Sequence, residues 1–464
     1  MIKNRFIKKI SIYFIGTLSS NVINILLVPL YAYFVGAEDL GEYDYILSVA
    51  TMVTPIAYLV IWEAILKYCI NSEKDIIGKH ISTGMLYMSV MTCLCILFLG
   101  VLYICNTNRE VIILVGCIII LDGITLFWQF SARALGESKQ YVIAGIVGSI
   151  VVIAFDLGYA IIGKLDYRGL SITHIVSQMA VIIVLEKRIH LLSFKITNSD
   201  KNILKKMITF SAPLVLNTVC MWFYTGGNKI IVRNFIGTAE NGLYSFAAKF
   251  SILINFCSTV VSMAVIEEAY SYATLEEYRK KIGELISIIS KAYFSMIALA
   301  LPAIYVLYSI AFKNTEYNES SQYVFLLLIS ALFTALSNNF GSSFQVTDNT
   351  KLIFVTTVIG AVCSLGTSLL LVEKLRIWGV LAGAVIGPLT MMILRAVYAK
   401  KATGLTIDWK TNIIIIIIST VTSLLLKIYN NLWIQLVLCI CMAICLIIIY
   451  RREIHSLYIK RMRK

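Results

Sequence analysis

The chain of 464 residues is 59% hydrophobic and only 14% charged, with a mean hydropathy of +0.83, more apolar side chain than a soluble core of this length buries, so the surplus must face lipid. The formal charge of +14 fits the Lys/Arg-rich cytoplasmic loops of a membrane protein, and nucleic-acid binding is excluded on that ground. Eleven Cys sit almost entirely within apolar runs without His at ligand spacing, so they read as small apolar fillers; no metal and no cofactor are expected.

Apolar runs of about 20 residues, the length that spans the hydrocarbon as helix, predict an all-α integral membrane protein of about fourteen spans. The first six lie near 10–35, 43–66, 81–104, 111–134, 141–163 and 169–186. The next six lie near 208–235, 242–266, 284–311, 321–345, 351–373 and 377–399, with a last pair near 412–427 and 432–450. Lys3, Arg5, Lys8 and Lys9 precede an apolar stretch too long for a signal peptide, so the first span is expected to stay uncleaved. With the N-terminus inside, 29 of the 40 Lys and Arg fall on cytoplasmic segments and 8 on outer loops, which predicts that both termini are cytoplasmic.

A repeat is visible at an offset of 201 residues. Phe34, Gly36, Gly41 and Tyr43 return as Phe235, Gly237, Gly242 and Tyr244, with Val35/Ile236 and Tyr45/Phe246 similar. Each repeat holds six spans, an even number, so two parallel lobes with a cavity between them are expected. The predicted organisation is an N-terminal lobe over 1–190, a basic cytoplasmic linker over 191–207, a C-terminal lobe over 208–400, and two further helices with a basic tail over 401–464.

Polar residues then mark helical faces. In the first span Tyr13, Thr17, Ser20, Asn24 and Tyr31 share one face, suited either to helix packing or to a water-filled cavity. In the fourth, Asp122, Thr125, Gln129 and Arg133 recur at i, i+3, i+7 and i+11; such a stripe must face protein or water. Asn217, Tyr224 and Asn228 share a face in the seventh span, with Lys229 about 100° round from them and Gly226 and Gly227 offering a bend point. Arg233 reads as a headgroup anchor. Lys249 of the eighth span opposes the Ser251, Asn255, Ser258 and Ser262 stripe, so one narrow cavity holds only one of the two. Thr334, Asn338, Gly341 and Gln345 form a neutral face in the tenth span. Asp156, Glu63 and Lys291 are single intramembrane charges, open to a local ion pair, snorkelling or transport duty. Four His mostly near span ends, no nucleotide-binding loop and no long loop argue against an enzyme.

Pro29-Leu30-Tyr31 followed by Phe34-Val35-Gly36, Gly41 and Tyr43, the repeated segment from Phe235 to Tyr244, and the turn Ala134-Leu135-Gly136-Glu137-Ser138-Lys139 resemble the Wzx-type polysaccharide flippases. These belong to the superfamily of multidrug and toxic compound extruders (MATE) and lipid II flippases. The resemblance covers about the first 400 residues, and the last two spans match an extra pair that many relatives carry. It implies a MATE-like fold in the bacterial inner membrane that flips an undecaprenyl-diphosphate-linked oligosaccharide, as for O-antigen or capsule, by alternating access. Glycan polymerases and other assembly proteins are the implied partners. The uncharged first span departs from the lipid II branch.

On this reading Arg133 near the cytoplasmic mouth, and Lys229 with Lys249 in the outer half, hold the diphosphate, while Asn24, Tyr31, Gln129, Asn217, Asn228 and Asn338 offer hydrogen bonds to the glycan. Asp122, Asp156 or Glu63 would couple an ion. The alternative is a small-solute or drug antiporter of the same fold, which predicts an acid-rich aromatic cavity.

Overall fold

The computed structural model describes residues 27–69, 72–105, 108–163, 165–194, 198–270, 275–346, 351–403, 409–428 and 431–451. Among them the regular structure is entirely helical. Residues 27–34 are helix α1, followed by α2 (Ala37–Ala57), α3 (Ile61–Cys69), α4 (Lys74–Cys105), α5 (Arg109–Ala134), α6 (Ser138–Ile162), α7 (Tyr167–Ile189), α8 (Lys201–Thr225) and α9 (Gly227–Phe235). Then come α10 (Thr238–Lys249), α11 (Ile252–Tyr270), α12 (Leu275–Leu307), α13 (Ser321–Val346), α14 (Lys351–Leu375), α15 (Ile377–Thr403), α16 (Trp409–Ile428) and α17 (Leu432–Ile449). Eleven of these helices are long and apolar enough to cross a membrane, and α2 with α3 makes a twelfth candidate as a pair bent by 56°.

The chain is a multi-pass membrane protein, and its described helices match the predicted spans except that three of those spans are broken. Most of the first predicted span, Asn24 included, lies outside the described residues. The second is broken after Ala57, and the eighth is two helices, α10 and α11, parted at Phe250 and Ser251. The seventh breaks at Gly226, where the glycine pair offered a bend. Helix starts follow local chemistry: Asp166 accepts from the Gly169 amide at 2.8 Å, and Asp200 from those of Asn202 and Ile203 at 2.6 and 3.4 Å, satisfying amides that lack a helical partner.

Two compact units are distinguishable among the described residues, one made of 27–245 with 368–380, the other of 246–367 with 381–451. In the first, Ile46, Tyr58, Ile61, Phe127 and Trp128 belong to one buried core where α2, α3 and α5 meet. Glu186 fixes the turn after α7 by accepting from Trp128 Nε1 at 2.9 Å and from the amides of Leu191 and Leu192 at 3.0 Å each. In the second, Phe246 stacks on Tyr317 with centroids 4.2 Å apart, beside Tyr308 and Phe312. Leu97, Ile104, Ile161 and Leu370 stand exposed on helices too apolar for water, the surface expected against lipid.

Candidate functional site

The first unit holds an open cavity of about 280 Å³ lined by α2, α3, α5, α7 and α8. Its shape begins with Pro55. Proline in a helix removes one amide donor and presses its ring on the carbonyl four residues back, and Pro55 stands two residues before the end of α2. Leu59 and Val60 then take φ of 49° and 51°, a conformation that a β-branched residue rarely adopts and that tends to occur at functional sites. The bend places Trp62, at the start of α3, on the cavity wall with Pro55, Thr51 and Thr54.

Helix α5 supplies the opposite wall through Asp122, Thr125, Leu126 and Gln129. Asp122 Oδ1 accepts from Gln178 Nε2 at 2.6 Å and lies 3.0 Å from His174 Nε2, two groups one turn apart on α7. The Thr125 hydroxyl is buried and makes no hydrogen bond among the described residues. One turn beyond Gln129, Arg133 is exposed and stacks on Phe130 and Tyr141, with centroids 5.1 and 5.8 Å away. Glu63 on α3 lies close enough to feel its charge, yet no described carboxylate is within ion-pair distance of Arg133.

Along α2, on the side of the cavity nearer the helix start, a layered seam joins α2 to α8, α9 and α10. Trp222 Nε1 donates to the Ser48 carbonyl at 2.8 Å, and Lys229 Nζ pairs with Asp44 Oδ2 at 2.8 Å. Arg233 reaches both oxygens of Glu42 at 3.2 Å and lies 4.3 Å over the Tyr45 ring. At the layer nearest the start of α2 the repeated glycines meet: a Cβ added to Gly41 would strike the Thr238 carbonyl, and one added to Gly242 would strike the Ala37 carbonyl. Asn241 Nδ2 donates to the Gly41 carbonyl at 2.7 Å across the same contact.

The predicted residues are thus divided among several places. Asp122 and Gln129 come together at the cavity, with Arg133 continuing their line. Lys229 is in the seam with Asp44, and Asn217 is exposed on α8. Tyr31 donates to Asp156 at 3.0 Å, both buried, away from the cavity lining. Asn228 is buried and accepts from Ser368 at 2.9 Å. Lys249 and Asn338 belong to the second unit, where Lys249 ends α10 and Asn338 accepts from Arg395 at 3.5 Å.

Sequence reasoning missed His174, Gln178, Trp62, Asp44 and Arg395. His174 and Gln178 carried a usable signal, being the two largest polar side chains within the span and spaced i and i+4. Arg395 is buried in the second unit, donating to Thr356, Thr357 and the carbonyls of Ser337 and Ile353 at 2.9–3.2 Å.

Residues 6–267 match the model of the family described as polysaccharide biosynthesis protein, and the chain belongs to that family. No curated protein matches it by sequence. Among solved structures it is similar to the lipid II flippase MurJ in an inward closed conformation, at 13% identity and a TM-score of 0.69, over 96% of this chain and 99% of that one. It is similar to an inward-facing MATE-family multidrug resistance transporter of the MOP superfamily at 14% identity and 0.68, over 84% of this chain and 98% of the other. A MOP superfamily transporter from Pyrococcus furiosus, whose binding pocket is described as of reversed polarity, matches at 13% identity and 0.56, over 86% of this chain and 95% of that chain. These likenesses establish the fold.

Proposed function

We propose that this member of the polysaccharide biosynthesis family flips an undecaprenyl-diphosphate-linked oligosaccharide across the bacterial inner membrane, with both termini in the cytoplasm. The observation that carries the reading is the α5 line, in which a cavity of hydroxyls, amides, one carboxylate and one tryptophan leads to an arginine with no carboxylate partner among the described residues. Glycans are held by neutral hydrogen-bonding groups and by flat aromatic faces, and a diphosphate by guanidinium. Lipid-linked glycan presents both chemistries in one molecule, the diphosphate at the membrane surface and the sugars beyond it.

The proposed cycle has the six-helix lobes 1–190 and 208–400 alternate about the site, with 191–207 as linker and 401–464 appended. Arg133 receives the diphosphate at the cytoplasmic side. The seam closes the outer end, and Lys229 becomes available to the diphosphate only when Asp44 releases it, so opening of the seam and transfer of the anion are linked. Lys249 is the second cation proposed for the outward state. Asp122, Asp156 and Glu63 are the proposed ion-coupling groups, and a glycan polymerase is the proposed recipient of the cargo.

A drug antiporter on this fold is favoured by Asp122 and Trp62 facing one cavity, since a cation would bind there. The other polar lining groups, four threonines and two glutamines, favour the glycan. Reconstitution in liposomes with a fluorescent undecaprenyl-diphosphate oligosaccharide tests the proposal. Wild type should move the label between leaflets and Arg133→Ala should slow it about tenfold or more. Unchanged movement in both Arg133→Ala and Lys229→Ala would overturn the assignment of the anion site, and no movement by wild type alongside drug export would favour the antiporter.

A further inference from the structure

The hydrogen-bonding polarity of the cavity bears on which sugars it takes. Asp122 is the one carboxylate among the lining residues, and the two donors that reach it both meet Oδ1. Oδ2 therefore stands without a partner among the described residues. The hydroxyls of Thr51, Thr54 and Thr218 donate to the carbonyls of Leu47, Ala50 and Leu214 at 2.8–3.0 Å, so each offers the cavity only lone pairs. Among the lining groups acceptors outnumber donors, which are the Thr125 hydroxyl, the Gln129 amide, the Trp62 indole N–H and the Gln178 hydrogen not given to Asp122.

Such a wall matches ligands that donate. Sugar hydroxyls, amines and acetamido groups have hydrogens to give, whereas the carboxylate of a uronic acid has none. A uronate set against Asp122 would oppose acceptor to acceptor and charge to charge, the kind of mismatch by which sites reject a near-isostere. Trp62 is the aromatic residue of the lining, and the volume lies just below the usual range for small-molecule sites.

We propose that this cavity is a subsite for a single neutral or amino sugar, and that Asp122 is the residue that excludes acidic sugars from it. The inference rests on the glycan-lipid reading above and narrows its substrate class.

The test uses the purified full chain in lipid nanodiscs, with binding followed by saturation-transfer NMR for three probes: methyl glucoside, methyl 2-amino-2-deoxyglucoside and methyl glucuronide. The first two should bind wild type, and the glucuronide about tenfold or more weakly. Asp122→Asn, which places an amide donor at the same site, should narrow that gap to about threefold or less. Glucuronide bound as well as glucoside by wild type, no binding of any of the three, or an unchanged gap in Asp122→Asn would each overturn the inference. The wild-type series decides the matter without the variant. Sugar-free undecaprenyl diphosphate, titrated against wild type and Arg133→Ala, separates the two readings: weakened binding in Arg133→Ala with a failed sugar series sinks only the sugar inference, while absent binding to wild type sinks the flippase reading.

Discussion

Gly41→Ala tests the seam at its tightest point. The added methyl meets the Thr238 carbonyl and the Gly242 amide nitrogen, both backbone, so no side chain can swing aside and the two helices must part by roughly an ångström. Over-packing of this kind costs about 1–3 kcal/mol, which lowers the population of the closed seam by about 5–150-fold relative to open states. Spin labels at Glu38 and Ala239, both exposed, would report the separation in a background freed of the eleven native cysteines. Gly41→Ala and Gly242→Ala should each broaden and lengthen the distance distribution. Because either change parts the same pair of helices, the double variant should lose less than the sum of the two. A wild-type distribution in Gly41→Ala, or strictly additive losses, would refute the reasoning.

Asp44→Asn leaves the ammonium of Lys229 unpaired. With Lys229 still 23% exposed, the expected cost is about 2–3 kcal/mol, below that of a wholly buried pair. Thermal unfolding in detergent should show it, and Asp44→Asn with Lys229→Gln should recover more than half. Tyr31→Phe removes a buried hydrogen bond to the Asp156 carboxylate and should destabilise by about 1.5–3 kcal/mol in the same assay. Arg395→Ala should cost about 2–4 kcal/mol. Arg395→Lys should fail to restore it, because one ammonium cannot serve hydroxyls and carbonyls on two neighbouring helices at once.

The helices were legible because apolar length and the 3.6-residue period act locally. The breaks were less so: membrane helices tolerate proline, so Pro55 alone does not distinguish a kink from a stop, and the bend that delivers Trp62 depends on the packing of Tyr58 against Gly123. The Asp122, Thr125, Gln129 line could be read because one helix carries it entirely. His174 and Gln178 could not be assigned, since their role depends on which face of α7 meets α5. Lys229 was read on a continuous helix, about 100° from the polar face. The break at Gly226 removes that constraint, and the partner Asp44 lies 185 residues earlier, beyond any local pattern.

The exchange at the glycines has the form of an interface about a twofold axis. Gly41 and Gly242 stand 201 residues apart, as do Ala37 and Thr238, and each glycine abuts the carbonyl belonging to the other's repeat. A single unfused repeat would make this contact with a second copy of itself. The ion pairs do not share the symmetry: Asp44 corresponds to Ser245 and Lys229 to Val28, while Glu42 corresponds to Leu243 and Arg233 to Ala32. A symmetric dimer would carry each pair twice; here each occurs once, with the acids on one repeat and the cations on the other. The symmetry is kept where backbone touches backbone and is lost where side chains meet.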